Sequence, residues 1–200
     1  MNLPNKLTIT RIVISFFIIG ILIFPFDTMG LSLPKIFVDE SIVIDTKYLI
    51  AGVLFVIASI TDFLDGYIAR KNNLITDFGK MMDSIADKIL VNSVLIILSA
   101  YGFIHPIIPV VIIVRDSIVN SFKMIIGNKG VVVSAIKTGK VKAFLLMLGI
   151  ILTLFYNLPF ELWNLRVSDF ILIVAAVLSI VSAFQYYEMC KDYLKEKHNG

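Results

Sequence analysis

Thr61-Asp62-Phe63-Leu64-Asp65-Gly66-Tyr67-Ile68-Ala69-Arg70 closes one long apolar run of this chain, and Gly79-Lys80-Met81-Met82-Asp83-Ser84-Ile85-Ala86-Asp87-Lys88 opens the next. Asp62 and Asp65 are three apart, and Asp83 and Asp87 are four apart, so on helices each pair occupies one face. The connection Lys71 to Thr76 is short enough to set the two helices side by side. All four carboxylates are therefore expected to converge.

Outward from this stretch the chain is strongly apolar. Of its 200 residues 58% are hydrophobic and only 16% charged, with a mean hydropathy of +0.91. A soluble domain does not carry that composition, and lipid is the expected solvent. A spanning helix takes about 20 apolar residues. Apolar runs interrupted by Lys, Arg and Pro place spans near 8–26, 48–70, 77–101, 106–127, 138–157 and 168–189. The expected fold is all-α, an integral membrane bundle of six transmembrane helices forming a single domain over 1–200. Six spans put both termini on one side. Of the 18 lysines and arginines all but Lys35, Lys47 and Arg166 fall on that side, which makes it cytoplasmic by the positive-inside bias.

The first apolar run, Ile12 to Phe26, is long, rich in Ile and Phe, and has no small-residue cleavage site after it, so it reads as an uncleaved span. The 27–47 connection, with Asp27, Asp39, Glu40 and Asp45 beside Gly30 and Pro34, reads as a solvated outer loop. Cys190 is the single cysteine, which excludes an internal disulfide and reads as a free thiol. His105 and His198 lie at an outer helix end and in the charged tail, away from the acids. Tyr186, Tyr187 and Trp163 fit an interfacial aromatic belt. Thr76 and Asp77 fit the N-terminal cap of the third helix. No repeat or coiled-coil heptad is present, and no nucleic acid is expected as a partner.

Four acids inside a membrane boundary are costly, about 2.5–3.5 kcal/mol for each at mid-bilayer, and packed like charges add to that. Arg70, Lys80 and Lys88 are long enough to snorkel toward lipid phosphates and water. Two divalent cations answer the charge better. Oxygen-only ligation suits Mg2+ or Mn2+, and a two-ion centre clamps the attacking and leaving oxygens of a phosphoryl displacement. Gly66, Ala69 and Gly79 lie on the same stretches. Their small side chains either admit a phosphate-bearing ligand to the backbone or pack helix on helix.

Together these residues spell D-x2-D-G-x2-A-R-x8-G-x3-D-x3-D on Asp62, Asp65, Gly66, Ala69, Arg70, Gly79, Asp83 and Asp87. This resembles the signature of the CDP-alcohol phosphatidyltransferase family. The resemblance implies a six-helix membrane enzyme, usually a homodimer, that moves a phosphatidyl group from a CDP-linked lipid to an alcohol and releases CMP. It implies that Asp62, Asp65, Asp83 and Asp87 ligate two metal ions, and that Asp62, Gly66, Ala69, Arg70 and Gly79 border the cytidine diphosphate. It also makes Asp87 the general base toward the acceptor hydroxyl, a role open to a carboxylate within reach of that proton.

More of the chain resembles one branch of the family, the bacterial phosphatidylglycerophosphate synthases, which use CDP-diacylglycerol and glycerol 3-phosphate. The matching stretches are Asn2-Leu3-Pro4-Asn5-Lys6-Leu7-Thr8 with Arg11, Ala86-Asp87-Lys88, Arg115-Asp116 with Lys123, and Thr138-Gly139-Lys140-Val141-Lys142. Asp116 and Lys123 stand where that branch usually has Glu and Arg, and Ser84-Ile85 replaces its usual Pro. An acceptor carrying its own phosphate needs fixed cations, and Arg115, Lys123, Lys140 and Lys142 are the candidates. Each also reads as a positive-inside signal. Arg11 reads either as a holder of a lipid or nucleotide phosphate or as a topology anchor. The rival readings are a relative with inositol phosphate, serine or phosphatidylglycerol as acceptor, and, from another class, an ion-coupled transporter, whose acids would sit nearer mid-membrane.

Overall fold

The computed structural model describes residues 3–26, 28–31, 33–38, 42–72, 76–127, 130 and 136–194. Six α-helices dominate it: α1 (Leu3–Ile23), α2 (Thr46–Lys71), α3 (Asp77–Ala100), α4 (Ile107–Gly127), α5 (Lys137–Leu154) and α6 (Val167–Leu194). A single 3-10 turn, Phe160–Trp163, precedes α6. Each expected span lies on one of these helices.

The all-α expectation needs one correction. Strands β1 (Lys35–Val38) and β2 (Ile42–Asp45) pair antiparallel inside the 27–47 loop, with Lys35 opposite Asp45 and Val38 opposite Ile42. Both strands are short runs of β-branched and aromatic residues, which favour a pleated surface but cannot reach across a bilayer. The hairpin docks on the bundle through buried Ile44 and through the Asp45 backbone N–H, which donates to the Tyr156 hydroxyl at 3.1 Å.

Among the described residues, three helices are long and apolar enough to cross a membrane: Pro4–Ile23, Thr46–Ala69 and Val167–Lys191. At 1.5 Å per residue each is about 30 Å or more, the thickness of a bilayer's hydrocarbon core. The other three are interrupted by charge: Asp83, Asp87 and Lys88 in α3, Arg115, Asp116 and Lys123 in α4, and Lys137, Lys140 and Lys142 in α5. These three helices carry Asp83, Asp87 and the candidate cations, while Arg11 and the other two signature acids, Asp62 and Asp65, lie on the apolar helices α1 and α2.

Burial is inverted relative to a soluble protein. Phe16, Phe17, Phe144, Phe170 and Phe184 all lie on the outside, whereas Arg11, Asp65, Lys142, Ser179 and Ser182 are inside. Apolar side chains facing outward are at no disadvantage in lipid, and polar ones must find partners within the bundle.

The buried faces follow simple spacings. On α1 the inward residues are Pro4, Thr8, Arg11, Ser15, Ile18 and Leu22, three or four apart. The seam begins polar and ends apolar. On α2 it runs the other way, from Tyr48, Ala51, Phe55 and Ala58 to Asp65. One end of the bundle is thus filled by the apolar core, in which Ile18, Phe55, Leu95, Ile112, Ile150 and Leu172 meet, and the other end gathers the charges.

Close approach explains two glycines. A Cβ on Gly149 would stand 2.7 Å from the Leu172 side chain, and one on Gly52 would stand 2.9 Å from the Phe155 ring. Helices α1, α2 and α3 pack on one another at one side of the bundle, and α4, α5 and α6 at the other.

Candidate active site

The acidic half of the site is built on α1, α2 and α3. Asp62, Asp65 and Asp83 each place one carboxylate oxygen within 4.8 Å of the others. Asp65 is buried and the other two are half-buried. Asp87 lies one turn beyond Asp83 and outside that group, so three of the four sequence-expected acids gather, not all four. The three-plus-one arrangement follows from the helix: Asp83 and Asp87 share a face but are a full turn apart along it.

Arg11 enters this group from α1. It is fully buried, and its Nη1 lies 2.5 Å from Asp62 Oδ1 and 2.9 Å from Asp83 Oδ1 while its Nη2 pairs with Asp65 Oδ2. Its Nε has no hydrogen-bond partner. The position differs from that of an exposed topology anchor, because the Thr8–Arg11–Ser15 face of α1 points into the bundle. Thr8 supports it: its hydroxyl donates to the Pro4 carbonyl at 3.1 Å and lies 3.3 Å from Asp65 Oδ2.

Gly79 sits where α1 and α3 begin side by side. A Cβ there would fall 2.7 Å from Asn5 Oδ1 and 2.9 Å from Thr76 Oγ1, so the small residue serves a close helix approach. Thr76 caps α3 as expected, its side chain accepting from the Gly79 N–H at 3.0 Å. Gly66 and Ala69 are half-buried on α2, and the side chains of Arg70, Asp77 and Lys80 fall outside the described residues.

The basic half is a pocket of about 300 Å³ between α3, α4, α5 and α6. Asp87 and Lys88 line it from α3, and Arg115, Lys123, Lys140 and Lys142 all reach it from α4 and α5. The four cations singled out in the sequence are therefore in one place, and the acid singled out as a base faces them.

The cations are not equivalent. Asp116 Oδ1 accepts from Arg115 Nη1 at 2.6 Å and from Lys142 Nζ at 2.9 Å. Arg115 is fixed further by α6, donating from Nε to the Ser179 carbonyl at 3.1 Å and from Nη2 to Ser182 Oγ at 2.5 Å. The Tyr186 ring meets two of the cations, with Lys123 Nζ 4.7 Å and Arg115 Cζ 5.7 Å from its centroid.

Sequence reasoning missed this contribution of α6. Tyr186, expected in an interfacial belt, is buried, lines the pocket and accepts a hydrogen bond from the Ile136 N–H at 3.3 Å. Tyr187 and Trp163 are exposed, as a belt requires. Cys190 is free but buried. The signal was present as a spacing: Ala175, Ser179, Ser182, Tyr186 and Cys190 are three or four apart and form the inward seam of α6.

The donor set suits a hard divalent cation. Three carboxylate oxygens at ligating separation, with no sulfur or imidazole among the described neighbours, fit magnesium or manganese rather than a softer metal.

Comparison with known proteins agrees with this chemistry. The family model described as CDP-alcohol phosphatidyltransferase matches residues 1–181. A Bacillus subtilis (strain 168) protein named CDP-diacylglycerol--glycerol-3-phosphate 3-phosphatidyltransferase is 39% identical over 194 residues, covering 97% of this chain and 97% of that protein. Proteins of the same name from Rickettsia felis and Haemophilus influenzae are 36% and 30% identical, covering 96% of this chain in both cases and 97% and 95% of the relatives. With its signature aspartates gathered at one end of a helical bundle and its length matched almost throughout, the chain belongs to the CDP-alcohol phosphatidyltransferase family.

Proposed function

We propose that this protein is a membrane enzyme that transfers the phosphatidyl group of CDP-diacylglycerol to glycerol 3-phosphate, giving phosphatidylglycerophosphate and CMP. The observation that carries the reading is the pocket in which Asp87 faces Arg115, Lys123, Lys140 and Lys142, set directly beside the three-carboxylate group. An acid next to a cluster of cations fits an acceptor that is a hydroxyl at one end and a phosphate at the other. The names of the relatives supply the same pair of substrates.

Asp62, Asp65 and Asp83, joined by Asp87, would hold two Mg2+ or Mn2+ ions, whose positive charge would offset the negative charge of the diphosphate and of the oxygens on the phosphorus under attack. The chain's own residues do the rest. The cations of the pocket seat the acceptor phosphate, which fixes the distance from that phosphate to the hydroxyl. Asp87 takes the hydroxyl proton as the oxygen bonds to the phosphatidyl phosphorus, and the bond to the bridging oxygen breaks so that CMP leaves with it. Gly66, Ala69 and Arg70 on α2 and Gly79 on α3 border the cytidine diphosphate, and Asp62 belongs to both sets.

The same reading places all six helices across the cell membrane with both termini and the charged end of the bundle in the cytoplasm. It also makes the working unit a homodimer. The membrane placement is supported by the lysine and arginine bias and the outward-facing phenylalanines, and the homodimer by the family resemblance alone.

The test is CMP release by the purified protein in detergent with CDP-diacylglycerol and Mg2+, offered glycerol 3-phosphate, inositol 1-phosphate, serine or phosphatidylglycerol one at a time. Release only with glycerol 3-phosphate is expected. Release with another acceptor moves the protein to a different branch, and release with none of them refutes the transferase reading.

A further inference from the structure

We propose that Arg11 is a positioning residue for the metal centre: its guanidinium holds the three carboxylates together before metal arrives and competes with the ions for the same oxygens. The inference rests on the two-metal reading given above. Three observations carry it.

First, the contacts coincide. Arg11 reaches Asp62 Oδ1, Asp83 Oδ1 and Asp65 Oδ2, which belong to the three carboxylates that stand at ligating separation. A cation cannot occupy the centre of that group while the guanidinium fills it.

Second, the charge is permanent. An arginine does not shed its proton in a protein, so a fully buried one must be matched by anions, and separating it from them leaves both sides costly. Without a cation of some kind, Asp62, Asp65 and Asp83 would repel one another and spread. Arg11 is a cation at hand, delivered by the inward face of α1, whose Thr8 hydroxyl also reaches Asp65 Oδ2 at 3.3 Å.

Third, the fit is incomplete. The Arg11 Nε is buried without a partner, although a permanent internal ion pair is stable only when its remaining donors are satisfied. Among the described ion pairs, three carboxylates also share the one charge of Arg11. Both points mark the ion pairs as the metal-free arrangement, one that gives way when metal enters.

The experiment measures Mn2+ binding and melting temperature on the full chain in detergent, for wild type, Arg11→Gln and Arg11→Lys, after chelation and again with Mn2+ added. One adjacent opposite charge changes a carboxylate's proton affinity by one to three units, so removing it should tighten Mn2+ binding by about tenfold or more. Arg11→Gln is therefore expected to bind Mn2+ about tenfold tighter, to melt lower than wild type without metal, and to recover most of that loss at saturating Mn2+. Arg11→Lys, which keeps the charge, should bind Mn2+ much as wild type does. If Arg11→Gln cannot be obtained without metal, purification in Mn2+ must rescue it. Mn2+ binding no tighter than wild type, or a stability loss that Mn2+ does not repair, overturns the proposal. Wild-type protein that binds no Mn2+ at all would instead refute the two-metal reading, and this inference with it.

Discussion

At the residue scale the site assigns different work to side chains of the same type. Asp62, Asp65 and Asp83 share Arg11, whereas Asp87 faces the basic pocket. Asp87→Asn is therefore expected to lower kcat by about 10²–10⁴-fold while the protein still inserts and melts near the wild-type temperature. Near-normal turnover would remove Asp87 from proton transfer. Among the cations, Arg115 and Lys142 are already engaged by Asp116, and Lys123 rests on Tyr186. Tyr186→Ala should raise the acceptor KM by a few-fold to about thirtyfold, the range set by loss of a cation–π contact, and leave the lipid KM alone. Tyr186→Phe keeps the ring and should behave almost as wild type, so equal effects of the two variants would show that the hydroxyl matters instead. The four aspartates and four cations were legible in the sequence because charge inside an apolar run is rare enough to stand out. Arg11's position among the acids, and the parts played by Asp116 and Tyr186, were not. Each depends on which way a helix is turned against a neighbour distant in the chain, and one charge in a run does not reveal its partner.

At the element scale the helices form as their apolar runs require, and their inward seams are readable once the spacing is traced. The β1–β2 hairpin was hidden because two four-residue strands separated by acidic residues look like an ordinary loop. The weak span character of α3, α4 and α5 has the opposite origin: their charges were visible, but only the assembled bundle shows that these charges face one another. Small residues on the seams set how near the helices come. Gly149→Ala places a methyl 2.7 Å from Leu172 in the tightly packed α5–α6 pair, whereas Gly20 has open space on α1. Gly149→Ala should cost about 1–3 kcal/mol of stability, read as a lower melting temperature in detergent, and Gly20→Ala should leave the melt unchanged or slightly higher. Equal melts for both variants would mean that Leu172 yields freely.

At the scale of the whole molecule the bundle consists of two three-helix halves, with the acids on one and most of the cations on the other. Asp87 stands at their junction, so the reaction centre exists only when the halves are packed together. The core at the far end, to which all six helices contribute, sets that packing. The outward phenylalanines have a further consequence. A molecule whose rim dissolves in lipid while its charged pocket takes a water-soluble acceptor draws its two substrates from different dimensions, one from a sheet and one from a volume. Its rate should then follow the mole fraction of CDP-diacylglycerol in the micelle or vesicle, and stay constant when detergent and lipid are diluted together at a fixed ratio, while responding to glycerol 3-phosphate as an ordinary molar concentration. Such an enzyme is governed by crowding within the bilayer, and a cell that thins or enriches that one lipid in its membrane adjusts the flux without changing the number of enzyme molecules.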